Sequence, residues 1–138
     1  MIYLTRGYLF CASHRLHSGR LSEEENWRVY GKCNNPHGHG HNYRLEVTVA
    51  GEIDSSTGMV CNLSELDSFV EQNILDRFDH AHLNRDQELF TDTVPTSENV
   101  CRAIFGIVKG GFKLAKVQKV WLGETSLNSF EYLEEADR

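Results

Sequence analysis

From Tyr43 to Val49 the chain alternates without a break: Tyr43, Leu45, Val47 and Val49 are apolar, and Arg44, Glu46 and Thr48 between them are polar. A period of two marks a half-buried strand, because successive side chains point to opposite faces. Ile2 to His14 is rich in β-formers and places Tyr8, Phe10, Ala12 and His14 on one face, which predicts another strand. Val117 to Leu122 and Phe130 to Leu133 read as two more, separated by a turn at Leu127-Asn128-Ser129. Helical spacing occurs twice. Leu63, Leu66, Phe69, Val70 and Ile74 share a face of a helix running to about Phe78, with Asn62 as N-cap and Glu65 placed to reach back in a capping box. Val100, Ile104 and Val108 mark a second helix, started by Pro95-Thr96-Ser97-Glu98-Asn99 and ended by Gly110-Gly111. A polar insert from Ser22 to Glu25 opens one or two helical turns that carry Trp27 and end near Gly31. Asp54 to Gly58 is a turn, and Glu134 to Arg138 reads as a solvated tail.

The order ββααββ predicts an α+β fold: a four-stranded antiparallel sheet with two helices on one face. Such a sheet leaves two unpaired edges, which natural proteins cover or pair, so assembly through them is expected. The 138 residues make one domain, 1–138, with no repeat or linker to divide it.

Composition narrows the function classes. A formal net charge of -6 argues against a nucleic-acid partner, which calls for a basic surface. No apolar run approaches the length of a membrane span, and the N-terminus lacks the layout of a secretory signal. Cys11, Cys33, Cys61 and Cys101 form no CxxC pair and read as free thiols of a reducing, cytoplasmic compartment. Cys11, Cys61 and Cys101 are expected to be small apolar packing residues.

The chemistry is concentrated in Gly31 to Tyr43, which holds Cys33, His37, His39 and His41. At the start of a strand, His39 and His41 project together and offer two nitrogens to one metal ion. Zinc takes imidazole readily, and a catalytic zinc keeps a fourth position open after three protein ligands. The remaining histidines are more than enough for the third. His80-Ala-His82 has ligand-like i, i+2 spacing too, and is a rival pair.

Phe10-Cys-Ala-Ser-His14-Arg-Leu, Tyr30-Gly-Lys-Cys33-Asn-Asn-Pro-His-Gly-His39-Gly-His41-Asn-Tyr43, Gly51-Glu-Ile-Asp54, Gly58-Met-Val, Asp79-His80, Thr96-Ser-Glu98-Asn-Val and Glu124-Thr125 follow one another over nearly the whole chain. In that order and spacing they resemble the 6-pyruvoyl-tetrahydropterin synthase family. The resemblance implies the tunnelling fold, in which sheets of three subunits close into a barrel and two trimers stack into a homohexamer. It implies conversion of 7,8-dihydroneopterin triphosphate, a small pterin, to 6-pyruvoyl-tetrahydropterin with loss of triphosphate, a step of tetrahydrobiopterin biosynthesis.

By the same resemblance His14, His39 and His41 match the ligands of one Zn2+ per subunit, and Cys33 the thiol that takes the side-chain proton. Asp79 and His80 match the catalytic relay, contributed from a neighbouring subunit. Glu124 matches the carboxylate that anchors the pterin, helped by the turn Thr96, Ser97 and Glu98. Arg15 and Lys32 are cationic neighbours suited to the triphosphate, and whether Mg2+ accompanies that group is left open. His37, Cys11, Ser97 and Gly123 stand where the family commonly has asparagine, serine, threonine and an aromatic; none of these removes a matched catalytic group, and His37 is read as a bystander.

Two other readings remain. The related 6-carboxy-tetrahydropterin synthases take the same substrate, but their thiol stands three residues before the histidine pair, whereas residues 34 to 38 intervene here. A non-catalytic, zinc-stabilised assembly protein of the same fold would need neither Cys33, Asp79, His80 nor Glu124, and would favour four closed ligands.

Overall fold

The computed structural model describes residues 1–135. Two long strands dominate it: β1 (Ile2–His14) and β2 (His39–Gly51), antiparallel with Tyr8 opposite Leu45 and His14 opposite His39. Strand β4 (Lys116–Thr125) pairs antiparallel with the far side of β2, and β5 (Asn128–Leu133) closes a hairpin onto β4. All four predicted strands are present.

The sheet has five strands, however, in the order β3-β1-β2-β4-β5, and it is mixed. The added member, β3 (Ala81–His82), runs parallel to β1 beside Ala12 and Ser13. Two residues are too few to show a period, which is why the pattern predicts four antiparallel strands.

Tyr43, Leu45, Val47 and Val49 are fully buried, as their alternation requires, and face the helical layer with Phe10 and Ala12. That layer consists of α2 (Leu63–Val70), its continuation, and α5 (Ser97–Gly111). Leu66, Val70, Ile74, Val100, Ile104 and Val108 are all fully buried in the same core. Each such side chain contributes about 1.5–3 kcal/mol relative to leaving it in water. Asn62 caps α2 by accepting from the Ser64 amide at 2.9 Å, but Glu65 makes no reciprocal bond, so the cap is not a capping box. The box belongs to α1 (Glu23–Tyr30), where Ser22 and Glu25 bond each other's backbone N–H. After Val70 the helix widens into a π turn (Glu71–Leu75) and ends in α3 (Asp76–Phe78). A last short helix, α4 (Leu83–Asp86), follows β3.

Glu134 is not part of a solvated tail. Its carboxylate pairs with Lys109 of α5 and Lys116 of β4 and fastens the end of the chain to both layers; residues 136–138 of the proposed tail lie outside the described residues. No helix among the described residues is long and apolar enough to cross a membrane.

Candidate metal and ligand site

The register of β1 and β2 builds the centre of the site. His14 ends β1 directly opposite His39, which begins β2, and His41 follows two residues later on the same face. The three rings meet edge to face, with centroids 4.7–5.0 Å apart. Their ligand nitrogens all lie within 4.8 Å of one another, and among the described residues no other cluster of this kind forms. The rival pair His80 and His82 is therefore not brought together with a third donor.

Each ring is prepared for this use. His14 is buried, and its Nδ1 lies 2.7 Å from the Pro95 carbonyl oxygen. A carbonyl only accepts, so Nδ1 carries the proton and Nε2 keeps its lone pair. That Nε2 stands 3.1 Å from Nε2 of His39. His41 Nε2 is buried without a hydrogen-bond partner, 4.0 Å from Glu124 Oε1. Burial, helped by the neighbouring imidazoles, lowers the His14 pKa to about 4, and burial lowers that of His41 too. Neutral imidazole is the form that coordinates a cation. Three convergent ring nitrogens, a fixed tautomer at His14 and a buried, unpartnered nitrogen at His41 all fit a metal ion.

Gly38 makes the approach of the strands possible. Its φ is +74°, and a Cβ there would sit 2.8 Å from the His14 carbonyl oxygen and 3.0 Å from His82 Nε2. Beneath the rings lies Tyr43, fully buried and stacked on Phe10 at 4.9 Å.

Glu124 stands at the end of β4, half-buried. Burial opposes its charge, but the Ser97 hydroxyl, which donates to Oε2, outweighs this together with His41 and Asn128, so its pKa falls below the ordinary glutamate value. Of the Thr96-Ser97-Glu98 turn, only Ser97 reaches this carboxylate. Thr96 is the N-cap of α5, accepting from the Asn99 amide at 3.2 Å, and Glu98 is exposed.

Cys33 lies in a 3-10 turn (Gly31–Asn34) whose backbone ties to β1's exit, Leu16 N–H donating to the Cys33 carbonyl at 2.9 Å. Its thiol is half-buried and is not part of the three-histidine cluster. His37 and Lys32 are exposed. Asp79 and His80 also stand apart from the cluster, at the β3 edge of the sheet. Asp79 Oδ1 accepts from the Cys11 amide at 2.8 Å and lies 3.1 Å from His80 Nδ1. The Cys11 amide and His80 lower the Asp79 pKa. His80 has φ +61°, an uncommon conformation for a non-glycine residue, and its ring is 81% exposed. All four cysteines are free, but Cys11 is exposed rather than packed.

Pro95, Gly38 and Tyr43 were not among the site residues read from sequence. Tyr43 carried a signal, since it continues the face of His39 and His41. The Pro95 carbonyl, 81 residues from His14, carried none.

Known proteins match this chain over nearly its whole length. The family profile described as 6-pyruvoyl tetrahydropterin synthase matches residues 3–135. A 6-pyruvoyl tetrahydrobiopterin synthase of Poecilia reticulata is 47% identical over 130 residues, 94% of this chain and 88% of that protein. The enzyme of that name from Homo sapiens is 46% identical over 129 residues, 94% of this chain and 89% of that protein. The solved structure of Caenorhabditis elegans 6-pyruvoyl tetrahydropterin synthase superposes with a TM-score of 0.92 at 41% identity, covering 97% of this chain and 96% of that one. The chain thus belongs to the 6-pyruvoyl tetrahydropterin synthase family.

Proposed function

We propose that this protein converts 7,8-dihydroneopterin triphosphate to 6-pyruvoyl-tetrahydropterin, eliminating triphosphate, with one zinc ion held by His14, His39 and His41. The observation that carries the reading is the three-histidine cluster with a carboxylate 4.0 Å away, in a chain of this family. His14, His39 and His41 would hold the zinc, their ligand nitrogens all lying within 4.8 Å of one another and those of His14 and His39 at 3.1 Å. Bound zinc supplies a Lewis acid that makes the C–H beside the substrate's side-chain hydroxyls more acidic.

The remaining work falls to the chain's own groups. Glu124 accepts hydrogen bonds from the pterin's amino and ring N–H groups, a bidentate fit. Ser97 and Asn128 hold that carboxylate in place and keep it ionised. Cys33 takes the side-chain proton, and the thiolate is the form of a thiol that does so. The outward-facing His80, with Asp79 at its Nδ1, serves the site of a neighbouring subunit rather than its own. Proton removal from the carbon next to the ring sends its electron pair into the ring C=N bond, which takes up protons and is reduced as that hydroxyl becomes a ketone. Proton removal from the next carbon expels triphosphate, and the enol left behind tautomerises to the second ketone.

Such sharing requires assembly, and we assign the chain to a homohexamer of two stacked trimers, working in the cytoplasm. Two features support a barrel of sheets. Strands β1 and β5 present largely unpaired edges. The face of β1 turned from the helices carries Tyr3 and Leu9, 62% and 73% exposed.

The test is to incubate the purified protein with dihydroneopterin triphosphate and identify the pterin by mass. A 6-pyruvoyl product supports the proposal; a 6-carboxy product moves the chain to the related activity, and no turnover refutes both.

A further inference from the structure

A cavity of about 620 Å³ lies outside the three-histidine cluster. It opens between the segment after β1, the α4 turn and the loop before α5, and it shares with the metal centre Pro95, whose carbonyl holds His14. Three arginines line it, Arg15, Arg20 and Arg85, together with His17 and His82; the one carboxylate in its wall is Asp92. In a chain of net charge -6 this is a local reversal of sign. Among the described residues none of the three guanidinium groups is paired with a carboxylate within 4.0 Å, the separation that defines the ion pairs found elsewhere, such as Arg6 with Asp67.

The wall is held in place by hydrogen bonds. Asn34 is 2% exposed, and its amide nitrogen donates to the Leu16 carbonyl and to His17 Nδ1, both at 2.8 Å. The Leu16 contact fixes which end of the amide is the nitrogen, so His17 Nδ1 must accept. Its Nε2 then carries a proton to offer a ligand. The Asn34 carbonyl accepts from Arg15 Nε at 3.0 Å, which leaves the terminal nitrogens of that guanidinium available. Asn84 clamps the Arg15 backbone from the opposite side, accepting from its N–H and donating to its carbonyl, each at 2.8 Å. Donors fixed in this way lose little freedom on binding.

We infer that this cavity is a binding site for a linear oligophosphate, gripped by Arg15, Arg20, Arg85 and His17. Planar guanidinium groups pair with phosphate oxygens in bidentate fashion, and a chain of phosphates offers oxygens to several at once. A carboxylate ligand would satisfy one arginine and leave two unmatched. The ligand is either the tail of the pterin substrate, an identification that rests on the proposed function, or a separate phosphate-bearing effector.

Inorganic triphosphate is the probe, titrated calorimetrically into the metal-loaded protein without added magnesium, with zinc content checked after each run. We expect one site per chain. Arg20→Gln and Arg85→Gln should each weaken binding roughly tenfold, the loss of a hydrogen-bonded charge contact. Asp92→Asn should tighten it, a change that damage to the fold does not produce. Equal affinity in all three variants, or no binding by the unaltered protein at millimolar probe, overturns the inference. Inhibition of turnover competitive with the pterin triphosphate makes the site that of the substrate tail, and non-competitive inhibition makes it that of an effector. Arginine-dependent binding by a protein without turnover upholds the cavity site while refuting the proposed function.

Discussion

Replacing Gly38 by alanine tests whether the close approach of the 35–38 turn to β1 sets the histidine geometry. Two costs follow from the structure. A φ of +74° is a left-handed conformation, which costs a residue with a Cβ roughly 1–2 kcal/mol. The new methyl would also stand 2.8 Å from the His14 carbonyl oxygen and 3.3 Å from its carbon, atoms of a paired strand that cannot swing aside. Overpacking of this kind adds about 1–3 kcal/mol. Gly58 separates the two, because it has φ +77° with nothing within 4 Å of its Cβ position, so Gly58→Ala reports the backbone cost alone. Urea denaturation of both metal-free variants should therefore show Gly38→Ala as the less stable by about 1–3 kcal/mol. The backbone that must yield carries His14, opposite His39, whereas metal bonds tolerate errors of only about 0.2 Å. Zinc affinity, measured by competition with a chromophoric chelator, should accordingly fall about 10–100-fold in Gly38→Ala and stay unchanged in Gly58→Ala. Equal stability of the two variants, with zinc affinity intact in both, would refute this reasoning.

Other outcomes follow from the same geometry. His39→Ala should lose stoichiometric zinc by metal analysis and lose turnover with it; full zinc and full activity would remove the cluster from the mechanism. Cys33→Ala should keep its zinc, since the thiol is outside the cluster, while turnover in the pterin assay drops about 10²–10⁴-fold, the usual contribution of a general base; loss of metal instead would make the thiol a ligand. Asp67 accepts two bonds from Arg6 and one from Tyr8, and these hold its pKa below the ordinary 3.8. A depressed carboxyl stabilises the fold above its unfolded value and ceases to as pH falls through the folded one. The stability gap between the unaltered protein and Asp67→Asn, about 0.5–1 kcal/mol for an exposed pair, should thus be constant above about pH 5 and close below pH 4 in chemical denaturation.

Much of the fold was legible because its strands and helices are written in periods. The alternation of Tyr43 to Val49 fixed which face of β2 is buried, and by continuing that face upstream it also fixed that His39 and His41 project together. The helices around Leu66 and Ile104 were equally plain, as was the N-cap role of Asn62. What failed was local in another sense: a two-residue strand has no period, and Glu65 had the sequence position of a capping partner without the bond.

The chain order alone could not select the third histidine. His14 joins the pair because β1 and β2 align it opposite His39, and a slip of one residue would turn its side chain to the other face. Nor could sequence place the Pro95 carbonyl behind that ring, or Ser97 against Glu124 across 27 positions. The cationic cavity gathers Arg15, Arg20 and Arg85 from two separate segments, and its sign runs against the net charge of the whole. Periodicity reports only which side of its own element a residue occupies. Contacts between elements depend on strand register and on where the helical layer settles over the sheet, and those are decided by packing the entire core at once.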